Sequence, residues 1–393
     1  MITKQVVVAG HTCLDITPDL SAVPPGHFKQ DLQPGRTIQL QGVTLSTGGC
    51  VPNTGLSLHK LGIPVRMIGK IGNDLFGQAV QDIIRRERAQ LADDLVIDPS
   101  AATAFTIILN PPGFDRSFLH FEGANKSFYA SDLPRKTLQE ADLFHFGYPS
   151  LMRSIYRGDG GELVSILQRA RRAGLTTSID FSLPDPHSLA GKVDWPLLLA
   201  NCLPYVDLFL PSVEELTYLL KPEDFNRMSA DSQPPFMAAV SLELLDELSQ
   251  MVLKFGVKAV MIKIGHRGIY LRTGPAKTWE KGGRALQNMG EAWFERELWA
   301  PAFKVDVRGS TGAGDAAVAG FLASLMRGTD PETALVIAAA VGACSVEKSD
   351  ATSGLLPWEA SLARVKNGWK TLPLDLSGLG WRKDEKHGLW ARE

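Results

Sequence analysis

Six short, almost continuous apolar runs set the strongest limit on how this chain can fold: residues 5–9, 65–68, 143–146, 176–179, 208–210 and 259–264. Each is bounded by turn residues and too brief for an ordinary helix. Each therefore reads as a strand buried on both faces. Helical patterns fall between them, over 76–92 and over 162–173, the second closed by Gly174 as a C-cap. Strands alternating with helices predict an α/β fold with a mostly parallel sheet. At 393 residues and 44% hydrophobic content, the chain can fill one large domain of this kind or two smaller ones.

Two stretches break the pattern. Residues 36–45 alternate polar and apolar, as does part of 105–121, which is interrupted at Pro111-Pro112-Gly113. Both read as exposed antiparallel strands, forming a small sheet over one edge of the main domain and able to shield a site from water. Residues 221–250, 274–301 and the tail after Pro357 are less regular and read as surface elaborations. The spaced tail tryptophans Trp358, Trp369, Trp381 and Trp390 read as docking onto the protein's own surface.

Composition removes several classes of function. A net charge of −2 gives no basic footprint for nucleic acid or an anionic membrane. No apolar stretch reaches the roughly 18 residues of a membrane span, and Val6-Val7-Val8-Ala9 is too short for a signal-peptide core. Cys13, Cys50, Cys202 and Cys344 are scattered, with no C-x-x-C pair, which predicts reduced thiols and a cytoplasmic location. The eight histidines show no metal-ligand spacing.

The chemistry-bearing feature is Gly309-Ser310-Thr311-Gly312-Ala313-Gly314-Asp315, followed by the small, apolar, proline-free run 316–326. A glycine-rich turn opening a buried helix offers unpaired N–H groups and the positive end of the helix dipole, a setting for a phosphoryl group. Glycine lets the backbone approach it closely. A carboxylate in the first turn is placed to accept a proton, although the dipole alone also favours aspartate there. The G-x-x-x-x-G-K-[ST] loop is absent. Lys263 ends a buried strand, where a lysine without a role is unusual.

Thr311-Gly312-Ala313-Gly314-Asp315, with Ala319-Gly320-Phe321 after it, is similar to the C-terminal signature of the PfkB (ribokinase-like) carbohydrate kinases. Further stretches match that family in order: Gly10 to Asp15, Gly48-Gly49 with Asn53, Ile68 to Asp74 with Phe76-Gly77, Gly123-Ala124-Asn125, and Lys263-Ile264-Gly265 with Gly268. The resemblance spans roughly 5–355. It implies a ribokinase-like three-layer α/β/α sandwich with a mostly parallel central sheet and a small β-sheet lid. The kinase domain would cover 1–357, with lid strands approximately within 12–47 and 103–122. Residues 358–393 would form a C-terminal extension packing on the domain.

The resemblance also implies an activity: ATP- and Mg²⁺-dependent transfer of a phosphoryl group to a hydroxyl of a sugar or sugar-like alcohol. Asp315 would be the base, and the backbone of Gly312, Ala313 and Gly314 the anion hole. Asp15, Gly48, Gly49, Asn53 and Asn125 would hold the acceptor. Lys263, Gly265, Gly268, Ser212 and Thr311 would lie on the nucleotide side, and Glu215 would organise the metal through water. Ser212 and Gly309 depart from the family's Asn and Asp at those positions. The second departure speaks against a monovalent-cation requirement. No polar purine reader stands in 337–342. Arg36, Arg116, His120 and His145 are further candidates to face the acceptor or its charged groups. A homodimer through the lid sheets is a family-level expectation. A nucleoside kinase of the same superfamily and a non-catalytic sugar- or nucleotide-sensing protein are the alternatives.

Overall fold

The computed structural model describes residues 4–114, 116–229, 235–287 and 289–392; residues 230–234 of the 221–250 segment lie outside it. Every apolar run became a strand: β1 (Val6–Gly10), β4 (Val65–Gly72), β8 (Leu143–Gly147), β9 (Thr176–Asp180), β10 (Leu208–Phe209) and β11 (Ala259–Lys263). Together with β5 (Val96–Asp98) these pair in parallel, in the order β11-β10-β9-β8-β1-β4-β5. Beyond β11 the sheet turns antiparallel. It continues through β12 (Ile269–Thr273), β13 (Glu297–Ala300), β15 (Leu389–Arg392) and β14 (Trp381–Asp384) to a total of 11 strands.

The period-2 alternation of strand side chains divides the core in two. Val6, Val8, Met67, Leu143, Leu208 and Met261 join one buried cluster; their neighbours Val7, Ala9, Ile68, Phe144, Phe209 and Ile262 join the other. The first face is covered by helices Cys50–Lys60, Ala313–Met326 and Pro331–Ser345, the second by Gly161–Arg172, Val213–Leu220 and Leu242–Leu253. Helix, sheet, helix is thus a three-layer sandwich. Ala313–Met326 and Pro331–Ser345 approach closely because their shared face is small: a Cβ on Gly320 would come within 3.0 Å of the Ala338 Cα.

A separate sheet of 4 strands has the order β3-β2-β6-β7, built from β2 (Cys13–Pro18), β3 (Val43–Gly48), β6 (Phe105–Leu109) and β7 (Ser117–Phe121). The 36–45 alternation placed the strand too early: pairing with β2 begins at Val43 and runs to Gly48, and 36–42 lies outside any strand. β6 and β7 pair across the Pro-Pro-Gly turn.

Two segments read as surface elaborations belong to the core. The 274–301 stretch contributes β13, an interior strand, and buries Trp293 and Trp299. Within 221–250, helix Leu242–Leu253 buries Leu245 and Leu248 against the sheet. In 274–301 the apolar residues are spaced among irregular turns, which hid the strand; in 221–250 the helical spacing of Leu245, Leu248 and Val252 was there to be read. In the tail, β14 and β15 extend the main sheet past β13. Trp358, Trp381 and Trp390 are buried there, and Trp369 stacks on Phe303 at 4.5 Å. Among the described residues no helix is long and apolar enough to cross a membrane.

Candidate active site

The parallel strands deliver polar side chains to one edge. His11 follows β1, Tyr148 follows β8, Asp180 ends β9, Ser212 lies just past β10 and Lys263 ends β11. Open parallel sheets bind ligands at this carboxyl-terminal edge.

Asp315 reaches the same place from above. It lies in the first turn of helix Ala313–Met326, whose N-cap Gly312 has φ 74°. Any side chain at Gly312 would be strained, and its Cβ would fall 2.3 Å from the Ala351 Cβ. The Asp315 carboxylate is almost completely buried and accepts three hydrogen bonds. Tyr148 Oη donates at 2.7 Å, Asn53 Nδ2 at 3.0 Å and Thr54 Oγ1 at 3.2 Å. Burial raises its proton affinity; Tyr148, Asn53, the Lys263 charge and Thr54 pull back, and the balance stays above the ordinary carboxylate value. Tyr148 is itself held at φ 62°, ψ 47°, a left-handed conformation uncommon outside glycine.

Beside Asp315, Lys263 Nζ lies 2.7 and 2.8 Å from the two Asp180 oxygens. Both oxygens accept from one ammonium, the geometry of an ionised pair. Burial raises the proton affinity of Asp180, and the Lys263 charge and hydrogen bonds pull it back toward the ionised form. Burial also opposes the Lys263 charge, but Asp180 and Glu215 hold its affinity for the proton above the usual lysine value. Glu215 closes a capping box with Ser212: Ser212 N–H donates to Glu215 at 2.6 Å and Glu215 N–H donates to Ser212 Oγ at 3.2 Å.

On the other side, Asp15 lies against Gly48, where a Cβ would meet its carboxylate at 2.3 Å. Burial pushes Asp15 up to about 6, partly offset by hydrogen bonds from Cys13 and Thr106. Gly49 is the N-cap of helix Cys50–Lys60. Nearby, His120 of β7 meets His11 with their Nε2 atoms 3.4 Å apart. Asn125 has its amide committed to backbone. It is fully buried, and its amide clamps the backbone of Thr12, accepting from N at 3.2 Å and donating to O at 3.0 Å.

A cavity of about 310 Å³ runs from Lys263 and Gly314 past Gly265 and Gly268 to Ala338, Ala339 and Gly342. Alanine and glycine make up about half of its lining, with Ile269, Phe303, Val305, Val307, Val346 and Leu372 among the rest. At the turn itself, the hydroxyls of Ser310 and Thr311 accept hydrogen bonds from Arg116.

The structure therefore brings Asp315, Asn53, Gly312, Gly314, Lys263 and Glu215 into one electrostatic neighbourhood. Arg36 instead pairs with Asp31 at the surface, and His145 is buried within the sheet against Ser178. Thr54, Tyr148 and Asp180 were not singled out from the sequence. The signal for the last two was position: each stands at or just past the end of a strand that the sequence did reveal.

The model of the pfkB family carbohydrate kinases matches residues 3–359. An uncharacterized sugar kinase of Archaeoglobus fulgidus is 24% identical over 300 residues, covering 76% of this chain and 98% of its own. The probable fructokinase-5 of Arabidopsis thaliana is 24% identical over 325 residues, covering 82% and 83%. Among solved structures, Arabidopsis thaliana ribokinase complexed with ribose and ATP superposes with a TM-score of 0.67 at 19% identity, covering 93% of this chain and 99% of that one.

Proposed function

The chain belongs to the pfkB family of carbohydrate kinases, phosphotransferases with an alcohol acceptor, and on that premise we propose that Asp315 is the base for transfer from ATP to a sugar hydroxyl. The observation that carries this reading is the buried Asp315 carboxylate, oriented by Asn53, Thr54 and Tyr148 at the mouth of the glycine turn. The acceptor oxygen forms its bond to the γ-phosphorus as its proton passes to Asp315. The bond from that phosphorus to the β–γ bridging oxygen breaks, and ADP leaves with the electron pair. The N–H groups of the Gly312–Gly314 turn and the helix dipole meet the charge on the phosphoryl oxygens.

The adenine would occupy the cavity beyond Lys263 and Gly314, with Gly265 and Gly268 beside it and Lys263 toward the phosphates; Thr311, next to Gly312, would lie at the phosphate end. The acceptor would lie between Asp15, Gly48, Gly49 and Asn53, under the small sheet acting as a lid. His11 and His120 border that space. Asn125 supports it indirectly, by fixing Thr12. Mg²⁺ is typical of such kinases and would screen charge on the phosphates. No group of three or more His, Cys, Asp or Glu among the described residues forms a cage for it. That fits an ion carried on phosphates and water, needing only one or two carboxylates, for which Asp180 and Glu215 are the candidates.

Tyr148→Phe offers a check on the base. The lost hydroxyl is one that lowers the Asp315 proton affinity, so its removal lets burial raise that affinity further. Asp315 must be ionised to act, so the acid limb of kcat/KM should move to higher pH. An acid limb in the same place in both proteins would contradict the assignment.

The names of the relatives make fructose and ribose the first acceptors to try. A screen for ADP release over sugars, sugar phosphates, polyols and nucleosides, with and without Mg²⁺ and K⁺, tests the reading. It predicts turnover that needs a sugar-like acceptor. Saturable binding without turnover across the panel would favour a sensing protein instead.

A further inference from the structure

The family match ends at residue 359, so most of the tail lies past it. The tail nonetheless reaches the cavity proposed for adenine. Leu372 stands in its lining with Ala302, Phe303 and Val305, and with Ala339 and Gly342 of helix Pro331–Ser345. Leu372 is only partly buried, so it keeps apolar surface for a flat ring to cover.

The tail also holds the wall beside it. Residues 302–305 follow β13 and lie outside the strands of the sheet. Their backbone partners come from the tail. Lys304 N–H donates to Lys370 O at 2.8 Å, Leu372 N–H donates to Ala302 O at 2.7 Å, and Phe303 bridges antiparallel to Thr371. Trp369 adds a side-chain clamp: its ring stacks on Phe303 at 4.5 Å, and its Nε1 donates to Lys304 O at 3.0 Å. Arg364, in helix Trp358–Lys366, lies with its Cζ 3.6 Å from the centre of the Trp369 ring. The same guanidinium donates twice to Glu347, at 2.6 and 2.7 Å. Glu347 adjoins Val346, another lining residue. The tail is thus tied both to the 302–305 wall and to the end of the helix that supplies Ala339 and Gly342. In a lining this apolar, the hold on a base comes from surface contact, and affinity follows the area that each wall residue offers.

We propose that the tail is a working part of the nucleotide site: Leu372 contacts the base, and Trp369 is a positioning residue that fixes the wall through Phe303. The proposal rests on the kinase reading above. It gives residues past the family match a share in ATP affinity and none in the acceptor site.

The test varies ATP and acceptor separately in wild type, Leu372→Ala, Trp369→Ala and Trp369→Phe, using whichever acceptor supports wild-type ADP release. Leu372→Ala should raise KM for ATP roughly tenfold, the scale of losing a few carbons from an apolar pocket. ADP affinity, read by calorimetry, should weaken by the same factor, while kcat and KM for the acceptor stay close to wild type. Trp369→Ala should show the same split. Trp369→Phe keeps a ring on Phe303 and should recover most of the affinity. A merely structural tail would instead move both KM values, kcat and the melting temperature together. Wild-type KM for ATP and ADP affinity in Leu372→Ala, or a parallel loss of ATP and acceptor binding in Trp369→Ala, overturns the proposal and leaves the kinase reading standing. A wild-type protein that neither binds ADP nor releases it with any acceptor overturns both.

Discussion

Asp315→Asn is expected to cut kcat by on the order of 10²–10⁴-fold, the usual contribution of a general base, while nucleotide affinity holds. The amide keeps the size of the carboxylate and can still accept from Tyr148 or Asn53, so the turn at Gly312 has no reason to move. What it loses is the ability to take the acceptor's proton. The same variant should melt higher than wild type at neutral pH. Burial holds the Asp315 proton affinity above its ordinary value, so the fold favours the protonated form. Its ionisation costs nothing below the ordinary carboxylate pKa, and the cost is fully present above the raised one. The gain in melting temperature should therefore widen as pH rises through that window. Activity lost and stability gained together mark a residue kept for chemistry; thermal melts and initial rates on the same preparation check it.

Lys263→Met is expected to cost stability instead, about 3–5 kcal/mol at neutral pH, because it leaves the Asp180 carboxylate buried and unpaired. The magnitude has an independent bound. Without its partner Asp180 can escape by taking up a proton. Protonating a carboxyl of ordinary pKa 3.8 at pH 7 costs about 4 kcal/mol at 1.36 kcal/mol per unit. That cost shrinks as pH falls toward 4, so the deficit should close on acidification. Adding Asp180→Asn to Lys263→Met should restore part of the loss, since no charge is then stranded. Denaturant melts of the three proteins at two pH values read this directly. A deficit that ignores both pH and the second substitution would mean that the pair carries no such coupling.

The sequence made the fold legible where physics is local. A strand buried on both faces must be apolar at nearly every position, and β1, β4, β8, β9, β10 and β11 were found on that ground alone. The antiparallel edge was hidden because β13 sits among irregular turns, and its burial depends on Trp293 and Trp299 finding partners far along the chain. The 36–45 alternation misled for the opposite reason. Period 2 shows which faces a strand would have, but only hydrogen-bond partners decide where it begins, and β2 offers them from Val43.

The same division runs through the candidate site. The glycine turn and Asp315 are contiguous and could be read together. Thr54 and Tyr148 could not, because they lie 261 and 167 residues from the carboxylate they hold. Asn53 was read as an acceptor ligand, and its amide is found on Asp315, a contact no spacing reveals. Ser212 and Glu215 were read for the nucleotide and metal, and their capping box shows that a helix start alone asks for the same two residues. Asn125 marks the limit of carrying a residue over by resemblance: it stands at the expected position and spends its amide on backbone.

The central claim is that this chain moves a phosphoryl group onto a sugar hydroxyl with Asp315 as base. Its most direct test is phosphorus NMR of a reaction holding ATP, Mg²⁺ and the acceptor that best stimulates ADP release. A new phosphomonoester signal should grow in step with ADP, appear only with acceptor present, and be absent with Asp315→Asn. Inorganic phosphate growing in its place, or the same phosphomonoester formed at the wild-type rate by Asp315→Asn, would contradict the account.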